Sequence, residues 1–337
     1  MPDFRLKTLF SFSDFYFTSF IYLDRVDMGA LFWMMILNSI RVPRRIKNGD
    51  EPYILSPKND FLFRLLFGDD GNEELLASLL SSILHEEIEH VVIKNPYILK
   101  LFSEDKETIL DIKAAINSKK LVDIEIQLWN SPCLMSRILF YWARLYASQI
   151  KQGNDYTVLQ KTTSILILDD LNHSSEDYHA CSHLHDWKQH ITLTDMIEVH
   201  VLELPKLHNL KQLDKSNTLL QWMLFFNAQT REELIMVSEA NPVIKKATDL
   251  LITMSRDEET RQMYEAREEY LLGRQIEIQG AKGEGREEGR IEGRIEGRET
   301  ERKDIAMRLI EEGMNDEFIK KITGLDIAVI RSLHNNR

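Results

Sequence analysis

The feature that most restricts this chain is a pair of short alternating runs, residues 107–116 (ETILDIKAAI) and 120–129 (KLVDIEIQLW), separated by Asn117, Ser118 and Lys119. Successive side chains of a strand point to opposite faces. In the second run Val122, Ile124, Ile126 and Leu128 therefore share one face, and Asp123, Glu125 and Gln127 share the other. In the first run Asp111 and Lys113 share a face in the same way. The turn formers between the runs predict an antiparallel hairpin. Residues whose numbers sum to about 236 then oppose one another, placing Asp111 across from Glu125 and Lys113 across from Asp123, roughly 4.5–5.5 Å apart at their β-carbons. Two carboxylates at that separation repel unless a cation stands between them or one is protonated. Asp111 and Glu125, with the Ile126 carbonyl and waters, suit Mg²⁺ or Mn²⁺, which polarises a phosphodiester and activates water. Acidic alternating strands are also common on solvated sheet faces, and the pattern alone leaves that reading open.

The surroundings of the hairpin predict an α/β domain. Organised sequence is expected from Ser56, where a helix runs through Phe61, Leu65 and Leu66, then a Gly-Asp break, then a second helix over 73–84 capped by Asn72. After Pro132, residues 133–150 are apolar on most faces, as in a helix packed on a sheet. TTSILILDDL reads as a strand buried on both faces, and 196–205 as a further strand. Residues 219–272 are helical and increasingly charged. The order helix, hairpin, helix, strand, strand, helices implies a mixed β-sheet flanked by helices.

Beyond this domain, Gly285, Gly289, Gly293 and Gly297 recur every four residues within an EGR repeat. Each glycine costs a helix about 0.5–1 kcal/mol relative to alanine, but the spacing sets them in a drifting stripe, and a semi-rigid, self-associating helical linker is expected over 274–301. Residues 302–337 read as a small all-α module of three short helices punctuated by Gly313, Asn315 and Gly324, with helix-turn-helix spacing in its second half. DNA contact and dimerisation or docking both fit this module. Its last helix carries one charged residue, Arg331, between Ile327 and Leu333, few for reading base edges. Residues 1–50 read as an N-terminal extension, expected to be poorly ordered. Its apolar run from 28 to 37 falls short of the roughly 20 residues of a membrane span, with membrane contact as the alternative.

Several function classes are unsupported. No phosphate-cradling GxxxxGK[ST] loop occurs, so no NTP partner is expected, and no GxSxG or HExxH motif occurs. His179, Cys181, His183 and His185 form H-x-C-x-H-x-H, which suits an alternating strand better than a closed zinc site. Two distant cysteines, Cys133 and Cys181, fit a reducing, cytoplasmic setting. The net charge of −12 runs against tight nonspecific DNA binding.

D-(X)13-E-X-Q on a hairpin resembles the metal-binding core of PD-(D/E)XK nucleases, in the variant where the closing Lys is Gln. Its setting resembles the recombination-promoting nuclease and transposase family of bacteria. The residues that carry this resemblance are KNDFLFRLLFG at 58–68, ILDIKA, VDIEIQ, LELPK at 202–206, and the series Arg137, Tyr141, Tyr146, Gln149, Gly153 and Tyr156. The resemblance spans about Ser56 to Gly273 and implies a restriction-endonuclease-like domain at 51–273. It implies Asp111 and Glu125 as metal ligands and Gln127 as the residue that positions the attacking water. Asp60 is implied as an auxiliary carboxylate, or else caps its helix. Arg137 is implied at a phosphate, or else pairs with Glu125 or Asp123. Lys113 is either a substitute for the missing lysine charge or an ion-pair partner of Asp123. The function implied is Mg²⁺-dependent DNA cleavage in recombination or transposition by a homodimer, with no membrane partner. Gln127 supplies no charge to the developing phosphorane, so a catalytically weak DNA-binding or regulatory protein is the alternative.

Overall fold

The computed structural model describes residues 45–49, 52–94, 97–98, 108–109, 111–172, 174–210, 214 and 216–335. The N-terminal extension lies outside them except for 45–49, as does His173. The described residues divide into two units, one up to residue 278 and the other from 279 onward.

Asn59 starts the first helix, α1 (Asp60–Gly68), by accepting a hydrogen bond from the Phe61 backbone N–H, and the helix buries Leu62, Phe63, Leu66 and Phe67. Next come α2 (Glu73–Leu84) and β1 (Val91–Lys94), then the short antiparallel pair β2 (Tyr97–Ile98) and β3 (Thr108–Ile109). The expected hairpin forms between β4 (Ile112–Ile116) and β5 (Lys120–Gln127). Asn117 and Ser118 both take positive φ, at 48° and 55°, the backbone twist that suits a tight hairpin. Ile112 faces Ile124 and Lys113 faces Asp123, the expected register. Helix α3 (Leu134–Ala147) crosses back to β6 (Lys161–Leu168), which pairs parallel with β5. Strands β7 (His179–His185) and β8 (Thr192–Glu203) complete a six-stranded mixed sheet in the order β1-β4-β5-β6-β8-β7.

Alternation along β5 and β6 assigns the two faces. Val122, Ile124, Ile126, Ile165 and Ile167 join the main core with α1, α2 and the later helices α4 (Thr218–Asn227), α5 (Arg231–Glu239) and α6 (Pro242–Arg256). Leu166 and Leu168 face the other way and pack with Val199 and Val201 against Leu134 and Ile138 of α3. Helices thus cover both faces, as a strand buried throughout its length requires. Contrary to its apolar sequence, α3 buries only Leu134, Ile138 and Leu145, and Leu139 and Phe140 on its outer side are exposed. The main core centres on an aromatic cluster in which Phe67 meets Trp222 edge-on at 5.4 Å and Phe63 lies 5.9 Å from Phe226. Ile46, before the expected start of the domain, is fully buried there and pairs with Ile54. This is an α/β fold of the restriction-endonuclease type.

Helix α7 (Glu258–Glu311) includes the whole glycine repeat, so the repeat is helical. In the second unit Ala306, Ile319 and Ile330 form a small core. There Asn315 caps α8 (Asp316–Thr323) and Gly324, at φ 69°, ends it before α9 (Ile327–Asn335). No helix among the described residues is long and apolar enough to cross a membrane.

Candidate metal centre

The ladder between β4 and β5 ends at Ile112 and Ile124. One step further, the carboxylates of Asp111 and Glu125 take the place of ladder bonds. The Asp111 backbone N–H donates to Glu125 Oε1 at 3.1 Å, and the Ile126 N–H donates to Asp111 Oδ2 at 3.1 Å. Each acid is thus pinned to the other's strand. In a ladder the N–H and C=O of one residue point to the same neighbour, so the Ile126 carbonyl also faces the Asp111 side.

A third carboxyl joins this face. Asp123 is fully buried, accepts a 2.5 Å hydrogen bond from the Ser164 hydroxyl of β6, and leaves its Oδ2 buried without a partner. Burial pushes Asp123 up to about 7 against the pull of Ser164. Burial likewise pushes Asp111 to about 7, aided by the negative charge of Asp60 and opposed by the Ile126 N–H, Arg64 and Arg267. Glu125 is raised well above the ordinary carboxylate range, by burial first and then by Asp111 and Asp123. Three carboxyls packed this closely keep their protons at neutral pH or need a cation. Their oxygen-only donor set and the orphaned Asp123 oxygen fit a hard divalent ion.

Asp60 stands at the first position of α1, and Asn59 is the cap, although Asp60 Oδ1 also lies 3.0 Å from the Phe61 N–H. Its carboxylate is gripped by Arg267 of α7, through a 2.9 Å bond from Nε and a shorter one from Nη2. Arg64 bridges it toward Asp111, at 3.4 Å from Asp60 and 3.9 Å from Asp111. Gln127 lines a small cleft with Lys58, Asp60, Trp129 and Arg267. A larger hollow of about 350 Å³, lined in part by Tyr53, Ser255 and Arg261, shares no residue with this cleft and holds no buried carboxylate pair.

Two expected pairings do not form. Lys113 opposes Asp123 in register yet makes no ion pair with it; the fully buried Asp123 takes its hydrogen bond from Ser164 of β6 instead. Lys113 is flanked instead by Lys94, and burial together with that neighbour lowers its pKa. Arg137 makes no direct ion pair with Glu125 or Asp123. It lies near enough to Glu125 to favour its charge, and its Nε is buried without a hydrogen-bond partner. Tyr141, on the same helix, faces the same acids. Gln149 is structural, bonded to Gln160 and Thr162.

Sequence reasoning missed three contributors. Lys58, held 2.8 Å from Asp169, sits in the opening segment beside Asp60 and was legible there as a cation. Asp123 was placed on the correct face but assigned to Lys113. Arg267 lies 207 residues from Asp60, and no local pattern marks it.

A family model described as PD-(D/E)XK nuclease family transposase matches residues 57–281. No curated protein and no solved structure matches the chain.

Proposed function

The chain belongs to the PD-(D/E)XK nuclease family of transposases, and from that premise we propose that it is a metal-dependent DNA endonuclease acting in recombination or transposition. The observation that carries this reading is the close pair Asp111 and Glu125, each carboxylate accepting a backbone N–H from the other's strand, Glu125 from Asp111 and Asp111 from Ile126. These two carboxylates, with the Ile126 carbonyl, would hold a Mg²⁺ or Mn²⁺ ion. When bound, the ion polarises the phosphodiester and supplies a water of lowered pKa. Gln127 orients that water from the cleft wall. Gln127 brings no charge, and Lys58 and Arg267, which line the same cleft, meet the phosphate in its place, each held by a carboxylate partner. Arg137, which lies near enough to Glu125 to favour its charge, is the candidate contact for a neighbouring phosphate. Asp60 acts through Arg267 and Arg64 as a positioning residue. Cutting both strands requires two such centres, and a homodimer supplies them.

The test is plasmid nicking by the full chain in Mg²⁺, Mn²⁺ or EDTA, beside Asp111→Ala and Glu125→Ala. Metal-dependent nicking that both variants lose supports the proposal. No nicking with any metal, or nicking that survives both substitutions, favours the alternative of a DNA-binding protein that keeps the fold without turnover, to which the uncharged Gln127 also points.

A further inference from the structure

The histidine-rich run that sequence spacing assigns to a plain strand gains two partners from β8. Cys181 opposes His200 and His183 opposes Glu198 across the antiparallel β7–β8 pair. Residues two apart on a strand share a face, so the four side chains form a compact patch on one side of the sheet edge. The ligand atoms of Cys181, Glu198 and His200 all lie within 4.8 Å of one another. Individual separations are 3.7 Å from Cys181 Sγ to His200 Nε2 and 3.1 Å from His200 Nε2 to Glu198 Oε1. His183 Nε2 stands 3.3 Å from Cys181 Sγ and 3.8 Å from Glu198 Oε2. A tetrahedral zinc with the usual bonds to sulfur, nitrogen and oxygen sets its ligand atoms roughly 3.3–3.8 Å apart. Cys181, Glu198 and His200 thus stand close to the spacings such an ion imposes, and His183 adjoins both Cys181 and Glu198.

We infer that Cys181, Glu198 and His200, with His183 as the fourth donor, form a binding site for a thiophilic divalent transition metal, Zn²⁺ above all. One thiolate and two imidazoles select such an ion over Mg²⁺ or Ca²⁺. The supporting contacts are those of a built site. His200 Nδ1 is 2.8 Å from His179 Nε2, and the two rings stack at 5.1 Å, a second-layer partner that orients the ligating ring. Lys161 Nζ lies 2.7 Å from Glu198 Oε2, and the Thr163 hydroxyl donates to Oε1 at 3.3 Å. Lys161 thereby holds one carboxylate oxygen and leaves Oε1 turned toward His200.

This site is separate from the nuclease centre. Glu198 and His200 pair with Thr163 and Ile165 of β6, whereas Asp123 and Glu125 pair with Ser164 and Leu166. The two sets therefore project from opposite faces of the sheet. The metal's role is structural: it clamps the edge strand β7 onto β8 just before the register slips at Leu184, where an edge is otherwise open to pairing with another chain.

The test is a Co²⁺ titration of the full chain after stripping with a chelator, read by the thiolate-to-cobalt charge-transfer band, which oxygen-only centres cannot produce. The band is expected at one Co²⁺ per chain, displaced by Zn²⁺, and retained in Cys133→Ser and in the double variant Asp111→Asn/Glu125→Gln. Affinity should fall about 10–100-fold in His179→Ala, which removes a second-layer partner, and the band should vanish in Cys181→Ser. Independently of any substitution, Zn²⁺ should slow alkylation of Cys181 by iodoacetamide and leave Cys133 unaffected. Absence of the band from the unmodified chain, its persistence in Cys181→Ser, or equal alkylation of Cys181 with and without Zn²⁺ overturns the inference.

Discussion

Replacing Asp123 by asparagine tests whether the carboxyl cluster is built for a cation. In the fold this buried carboxyl has its pKa pushed to about 7, against an ordinary 3.8. At about 1.36 kcal/mol per pKa unit, the fully ionised group costs the metal-free fold about 4 kcal/mol. The native state holds the extra proton between those two values, so stability falls as pH rises through that window and levels off above it. From pH 5 to pH 8 the decline owed to Asp123 is about 3 kcal/mol. Asparagine keeps the Ser164 bond but places an amide N–H₂ where Oδ2 lacks a partner, a cost of about 1–3 kcal/mol that does not vary with pH. The variant should therefore be more stable than the parent at pH 8 by roughly 1–3 kcal/mol, with a flatter pH dependence. Urea unfolding in EDTA at pH 5, 6, 7 and 8, followed by tryptophan fluorescence, measures the difference directly, and the buried Trp222 reports on the core. A parent–variant difference that stays constant from pH 5 to pH 8 would refute the reasoning.

Glu125→Gln should lower metal-dependent nicking at least about 100-fold and abolish the rise in melting temperature on adding Mg²⁺; an unchanged melting shift would remove Glu125 from the ligand set. Lys113→Ala should leave cleavage unchanged, because the side chain forms no ion pair with Asp123 and does not line the cleft, and a large loss in the nicking assay would return Lys113 to the mechanism. Phe67→Ala should cost about 3–5 kcal/mol in denaturant unfolding, since the ring is fully buried against Trp222 and Phe226. Two glycines should respond with opposite sign in circular-dichroism melts. Gly293→Ala, where nothing stands within 4 Å of the added carbon, should strengthen α7 by about 0.5–1 kcal/mol. Gly324→Ala, at φ 69°, should weaken the tail by roughly 1–2 kcal/mol.

The sequence by itself determined the hairpin, its register and the face that Asp111, Glu125 and Gln127 share, because side-chain alternation and turn chemistry are local. Asn117 and Ser118 specify the turn, and a slip of one residue would turn Asp123 and Glu125 into the main core and Val122 and Ile124 onto the face where the carboxyl cluster sits. The caps at Asn59 and Asn315 and the stop at Gly324 are local in the same sense. Only the tertiary structure decided which charges meet. The opposition of Lys113 and Asp123 along the hairpin does not become an ion pair, because β6 arrives on the other side of β5 and brings Ser164 to Asp123. Arg267 reaches Asp60 from a helix 207 residues away. Cys181 and His183 read as a bare strand until β8 sets Glu198 and His200 beside them. Backbone periodicity is carried by neighbours in the chain, whereas electrostatic and ligand geometry depends on elements brought together from distant parts of it by burial of the core.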